Sequence, residues 1–179
     1  MSQQLVIISG PPGGGKSSTA EALCQRYDRM LHIEMAALRD FLQMGRLRPW
    51  DESPEGRRQR ELFVASACEM ARRFLTAGYG VVVDDVVTPD ELEVYRKALD
   101  GVDAIVHFVV LLPPVEVLRQ RDRSDEWQRG GRLEALYQRF ERWRGVAVIE
   151  PGDLAPDLVA DRVMALAAEG RALLSGRPA

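Results

Sequence analysis

"GPPGGGKSS", residues 10–18, decides how this chain reads. Gly10-Pro11-Pro12-Gly13-Gly14-Gly15-Lys16-Ser17 satisfies every fixed position of G-x-x-x-x-G-K-[ST]. Such a match has meaning only between a strand and a helix. Leu5-Val6-Ile7-Ile8 precedes it as a short β-branched apolar run, and Ser18 to Cys24 follows as a proline-free helix start. The residue types fit the chemistry. Glycines let successive backbone N–H groups converge on phosphate oxygens, at a helix N-terminus whose dipole favours negative charge. Lys16 then reaches the β- and γ-phosphates and the Ser17 hydroxyl ligates Mg²⁺. Gly10 to Gly15 with Lys16, Ser17 and Ser18 are the candidate phosphate contacts. Lys16 and Lys97 are the only lysines among 24 basic residues, so a lysine here is not this chain's default cation.

The bulk numbers suit one domain over residues 1–179, with 46% hydrophobic and 28% charged residues. No apolar run approaches the ~18 residues of a membrane span. The N-terminus lacks the basic flank of a leader peptide. Cys24 and Cys68 show no C-x-x-C spacing and read as buried thiols of a cytoplasmic protein. His32 and His107 border strand-like runs and lack metal-ligand spacing. A net charge of −3 argues against a general nucleic-acid surface. The arginines nevertheless cluster, at 46 and 48, 57 to 60, 119 to 123, and 129 to 132. No dinucleotide fingerprint is present, which gives a nicotinamide or flavin no support.

Strand candidates at Leu5–Ser9, Leu31–Met35, Gly80–Val87, Ala104–Leu112 and Val146–Ile149 alternate with helical periods. Phe63, Ala67, Met70 and Phe74 mark one apolar helix face. Leu92, Tyr95 and Leu99 mark another, and Leu133, Leu136, Tyr137 and Phe140 a third. Thr88-Pro89-Asp90-Glu91 reads as an N-cap, a first-turn proline and a capping-box glutamate. This alternation predicts an α/β fold: a five-stranded parallel sheet, helices on both faces, ligands at the carboxyl ends of the strands.

Val81-Val82-Val83-Asp84-Asp85 runs an apolar strand into two carboxylates, which are expensive to bury without partners. Both either end the strand before the capped helix or face the phosphate site. Alternation alone does not decide which points inward. The preferred assignment puts Asp84 on the metal side, with Ser17, and Asp85 on the acceptor side.

With these residues placed, the chain resembles the small P-loop phosphotransferases that group zeta-toxin-like kinases, chloramphenicol phosphotransferase and the phage polynucleotide kinase domain, an AAA-type ATP-binding domain. The resemblance rests on the 10–18 loop, "HIEMAALRDFL" (32–42), "MARRFLTAGYGVVVDDVVTPDELEVYR" (70–96), "VVLLPPVEVLRQRDRS" (109–124) and "LEALYQRFERW" (133–143). It implies a three-layer, adenylate-kinase-like sheet and an arginine-bearing lid at about 119–132. It also implies transfer of the ATP γ-phosphoryl group, with Mg²⁺, to an acceptor hydroxyl. By that resemblance Arg39 faces the acceptor, Arg121 is the first lid arginine and Arg123 meets transition-state charge; with Lys16 and Asp85 they form the implied catalytic set.

Two departures stand out. Relatives read V-D-D-L-R where this chain has Met35-Ala36-Ala37-Leu38-Arg39, so the carboxylate that takes the acceptor's proton is missing; Asp40, Glu34 and Asp85 are the nearby alternatives. A second lid arginine of the relatives is replaced by Asp125. Residues 43–60 are expected to cover the acceptor. There Trp50 either stacks on an anionic or planar ligand or packs against the lid. The acceptor is expected to be a small molecule rather than nucleic acid or a membrane. The competing reading is a nucleotide-dependent binding module with little transfer activity, which the Ala36-Ala37 pair favours.

Overall fold

A computed structural model describes residues 3–121, 127 and 129–175. The order is β1 (Gln4–Ser9), α1 (Lys16–Cys24), β2 (Met30–Glu34), α2 (Met35–Asp40), α3 (Pro54–Thr76), β3 (Gly80–Asp85), α4 (Leu92–Ala98) and β4 (Ile105–Leu111). Then follow α5 (Val115–Arg121), α6 (Arg132–Phe140), β5 (Ala147–Ile149), α7 (Pro156–Ala168) and β6 (Leu173–Ser175). Five strands run parallel in the order β2-β3-β1-β4-β5, as the alternation predicts.

The sixth strand is new. β6 pairs antiparallel with Val106 and His107 at the start of β4, while β5 takes Val109 to Leu111 farther along. Three residues are too few to carry a period-two signal, so the sequence gives no warning of it.

Strict alternation splits the core between two faces. Leu5, Ile7, Val81, Val83 and Phe108 pack under α3, α4 and α6, with Leu75, Tyr95, Phe140 and Trp143. Val6, Ile8, Val82, Val109 and Ile149 pack under α1 and α7, with Leu23, Val159 and Val163. Full burial of each such side chain stabilises the fold by about 1.5–3 kcal/mol.

In α3 the buried stripe is Val64, Ala67, Cys68, Ala71 and Leu75; it shares Ala67 with the predicted Phe63-Ala67-Met70-Phe74 line but otherwise lies one position on. Phe63 and Met70 sit at its margin, and Phe74 is exposed. Two large rings drew the sequence reading toward the wrong phase; close packing on the sheet selects the smaller residues. Ser53 caps this helix by accepting from the Gly56 N–H at 3.0 Å, with Pro54 in the first turn. At Thr88 both the N–H and the hydroxyl donate to Glu91, at 3.0 and 2.7 Å, which fixes the turn between β3 and α4.

Candidate active site

The glycine loop leaves β1 at Gly10, whose φ of 153° suits glycine. A Cβ there would stand 2.4 Å from the Leu111 carbonyl oxygen, so only glycine lets β1 and β4 approach as they do. Gly15 reaches φ 88° directly before α1, in open space, and the helix then starts at Lys16. The loop's backbone N–H groups and the positive end of the α1 dipole therefore meet at one spot. Lys16 Nζ donates to the Pro11 carbonyl at 3.0 Å. Burial lowers the Lys16 pKa, while the Asp84 and Asp85 carboxylates act to hold its charge.

The two aspartates take opposite faces of β3, because successive side chains on a strand alternate. Asp84 shares the α1 face. It accepts from Ser17 Oγ at 3.2 Å and from His32 Nε2 at 2.5 Å. That hydrogen bond raises the pKa of His32. Asp85 shares the α3–α4 face. Its Oδ1 accepts from Arg39 Nη2 at 2.7 Å and from the Val86 N–H at 2.8 Å. Its Oδ2 accepts from the Tyr95 hydroxyl at 2.9 Å. Burial, then the charge of Asp85, pushes the Tyr95 pKa well above its ordinary value, so the phenol stays a donor.

Lys16, Ser17, Asp84, Asp85 and Arg39 open onto one cavity of about 450 Å³. Its apolar wall includes Pro49, Trp50, Trp127 and Leu136. Trp50 and Trp127 meet edge to face with centroids 4.9 Å apart, and the Arg132 guanidinium lies 4.9 Å from the Trp50 ring centre. Trp50 thus packs against Trp127 and Arg132, and it also lines the cavity. Ala36 lines this cavity, and Ala37 is not on its wall.

A second cavity, of about 420 Å³, lies on the other side of the loop. Gly13, Gly14, Gly15, Ser18 and Thr19 line it together with Arg121, Pro151 and Leu154. Arg121 Nη2 donates to the Gly152 carbonyl at 2.9 Å, so it belongs to this side rather than to the cavity that holds Arg39. Arg123 and Asp125 lie outside the described residues.

Sequence reasoning passed over several residues that complete the site. His32 reads as an ordinary strand residue, and its partner is 52 positions away. Tyr95 is legible only as part of an apolar stripe. Arg60, Glu52 and Arg139, which also line the first cavity, carry no motif.

A hydroxyl, a carboxylate and phosphate oxygens make the hard, oxygen-only donor set that Mg²⁺ prefers, usually completed by water. Ser17 and Asp84 fit it. Among the described residues no group of three or more His, Cys, Asp or Glu could hold a metal alone, so a metal held by Ser17 and Asp84 would need further oxygen ligands. No helix among the described residues is long and apolar enough to cross a membrane.

A glycine loop between the first strand and a helix, at the carboxyl edge of a parallel β2-β3-β1-β4-β5 sheet, defines a P-loop kinase fold. Residues 5–147 match the model of a family described as an AAA domain, and the chain belongs to that family. A comparison with curated proteins finds no match. Among solved structures, the chain is similar to the Mycobacterium tuberculosis APS kinase in complex with AMPPNP and APS, at 17% identity and a TM-score of 0.72, over 93% of this chain and 98% of that one. It is similar to the Deinococcus radiodurans tunicamycin resistance protein at 19% identity and 0.67, over 97% and 99%. It is similar to the Acinetobacter baumannii shikimate kinase in complex with shikimate at 19% identity and 0.62, over 96% of each chain. These likenesses establish the fold.

Proposed function

We propose that the protein transfers the γ-phosphoryl group of ATP to a hydroxyl of a small molecule bound in the 450 Å³ cavity. One observation carries this reading: the phosphate-loop Lys16 and Ser17 share that cavity with Asp84, Asp85 and Arg39. The 420 Å³ cavity beyond the loop takes the nucleotide, with Arg121 at its edge. Loop N–H groups and Lys16 bind the β- and γ-phosphates. Arg121, and Arg123 in the lid, neutralise charge on the transferring group. Ser17 and Asp84 hold Mg²⁺, which when bound supplies charge neutralisation on the phosphate oxygens.

On the acceptor side, Asp85 is the carboxylate available to take the hydroxyl proton. Each of its oxygens already accepts a hydrogen bond, which fixes its direction and leaves lone-pair capacity on Oδ2. Arg39 holds it in place. Glu34 and Asp40 are exposed and absent from the cavity wall. Ala36 on that wall favours a second reading, a nucleotide-dependent binding module with weak transfer, because relatives carry a carboxylate in that pair. General-base help is worth about 10²–10⁴-fold, whereas phosphoryl transfer depends mainly on positioning and charge neutralisation. The kinase reading therefore survives a weak base.

The test is phosphorus NMR of protein, Mg-ATP and a pool of nucleosides, sugar nucleotides, amino-alcohol antibiotics and 5′-hydroxyl RNA. A new phosphoester, absent with Lys16→Ala, is the expected result. ATP binding without any phosphoester selects the binding module.

A further inference from the structure

On the wall of the acceptor cavity, one carboxylate meets arginines from two helices. Glu52 stands 3.8 Å from Arg57, 3.3 Å from Arg60 and 3.8 Å from Arg139. Arg57 and Arg60 come from α3 and Arg139 from α6, so the contact spans from the 43–60 segment to the lid side. Glu52, Arg60 and Arg139 line both the 450 Å³ cavity and a smaller one of about 220 Å³ that it adjoins.

Both cavity-lining arginines have anchors besides Glu52. Arg60 is anchored by the Asp51 carbonyl at 2.7 Å and by Glu91 at 3.4 Å. Arg139 donates to Thr88 Oγ1 at 2.9 Å, and that hydroxyl is itself held by Glu91. Both guanidinium groups are therefore positioned without Glu52. Glu52 is 57% exposed, and its contacts are 3.3 Å to Arg60 and 3.8 Å to both Arg57 and Arg139. Exposed pairs of this kind contribute little to stability. A firmly held pair of arginines facing a loosely held carboxylate inside a ligand cavity is the arrangement of an anion subsite occupied by a displaceable internal anion. Two preorganised guanidinium groups suit the oxygens of a carboxylate, sulfate or phosphate.

We infer that the acceptor alcohol carries an anionic group, received by Arg60 and Arg139 in place of Glu52. This names the acceptor class within the kinase reading and rests on that reading. The rest of the acceptor lies along the Trp50–Trp127 wall of the same cavity.

The test titrates the protein, saturated with Mg-AMPPNP to occupy the glycine loop, with inorganic phosphate, sulfate and acetate, and follows tryptophan fluorescence. Glu52→Gln is expected to bind at least one of these anions about two- to fivefold more tightly than wild type, the fold-change of one exposed ion pair. Arg139→Gln is expected to bind it about tenfold more weakly, the loss of a charge-assisted hydrogen bond. Glu55→Gln makes the same charge change one residue into α3, off the cavity wall, and is expected to stay within about twofold of wild type. The preferred anion separates a carboxylate acceptor from a phosphorylated or sulfated one. Glu52→Gln binding no more tightly than Glu55→Gln, or binding none of the three anions, overturns the inference. Arg139→Gln binding as wild type does overturns it too. Nucleotide turnover does not enter this readout. An intact anion response with no phosphoester from any acceptor would sink the kinase reading and leave the subsite standing.

Discussion

Arg39 Nη2 lies 2.7 Å from Asp85 Oδ1, joining α2 to the end of β3 beneath the 450 Å³ cavity. Asp85 is 3% exposed and the Arg39 side chain 18%, so each charge depends on the other. Removing one partner of a buried pair leaves a charge with poor compensation. Arg39→Ala is expected to lower unfolding free energy by about 3 kcal/mol in urea titration. Asp85→Asn keeps two acceptor contacts and is expected to cost less. A larger loss from Asp85→Asn would mean that Arg39 finds no water when its partner is neutralised.

Ala36 lines the 450 Å³ cavity and Ala37 does not. The resemblance implies a missing carboxylate in this pair, and only Ala36 stands on the cavity wall. Ala36→Asp is expected to raise the phosphoryl-transfer rate by up to ~10²-fold, the low end of general-base help. Ala37→Asp is expected to change it little. Steady-state rates of both variants with one acceptor decide the matter, and no gain in Ala36→Asp would mean that another residue already serves as base or that none is needed.

Asp84 links Ser17 to His32. Asp84→Asn is expected to raise the Mg²⁺ concentration for half-maximal turnover by about tenfold or more, as loss of a carboxylate ligand implies. His32→Ala is expected to raise it less, because it removes only the group that orients the carboxylate. Chelation of Mg²⁺ by EDTA is expected to stop turnover. An unchanged Mg²⁺ dependence in Asp84→Asn would remove this aspartate from the metal side.

Burial pushes the Cys68 thiol up to about 12. The unfolded thiol titrates near its ordinary value, so between about pH 9 and 12 the unfolded state holds fewer protons than the folded one. The stability this thiol contributes is complete below pH 9 and is lost as pH rises through that interval. Cys68→Ala is expected to flatten the alkaline fall in denaturation midpoint. At pH 8 a thiol reagent is expected to label Cys24, which is half-buried, far faster than Cys68.

Gly10→Ala forces a Cβ against the Leu111 carbonyl at a positive φ. The expected loss is about 1–3 kcal/mol in thermal or urea unfolding, with weakened nucleotide binding because the loop must shift.

How far the sequence speaks can be read from these same residues. The glycine loop was legible because its function needs contiguous residue types at fixed spacing. Alternation of strands and helices gave the parallel sheet, and the Thr88–Glu91 cap was legible as a local pattern. The partition of Asp84 and Asp85 between the two faces needed knowledge of which helix covers which face. Arg139 meets Thr88 across 51 positions, and His32 meets Asp84 across 52. Such pairs arise from the sheet order, which places distant segments side by side, and no local spacing encodes them. β6 escaped for a different reason: its pairing depends on a free stretch of the β4 edge that exists only once β5 has taken the rest.

One hydroxyl joins the two halves of the site. Ser9, the last residue of β1, donates to the Val87 carbonyl at 2.8 Å and accepts from the Val87 N–H at 3.0 Å. It is fully buried, and it fastens the root of the glycine loop to the turn that carries Asp85 and the Thr88 cap. The glycine loop and the turn after β3 are thus fastened to each other at their roots, in addition to the β1–β3 pairing. The distance between the glycine loop and Asp85 is therefore fixed at the level of the sheet rather than by the loops around the cavity.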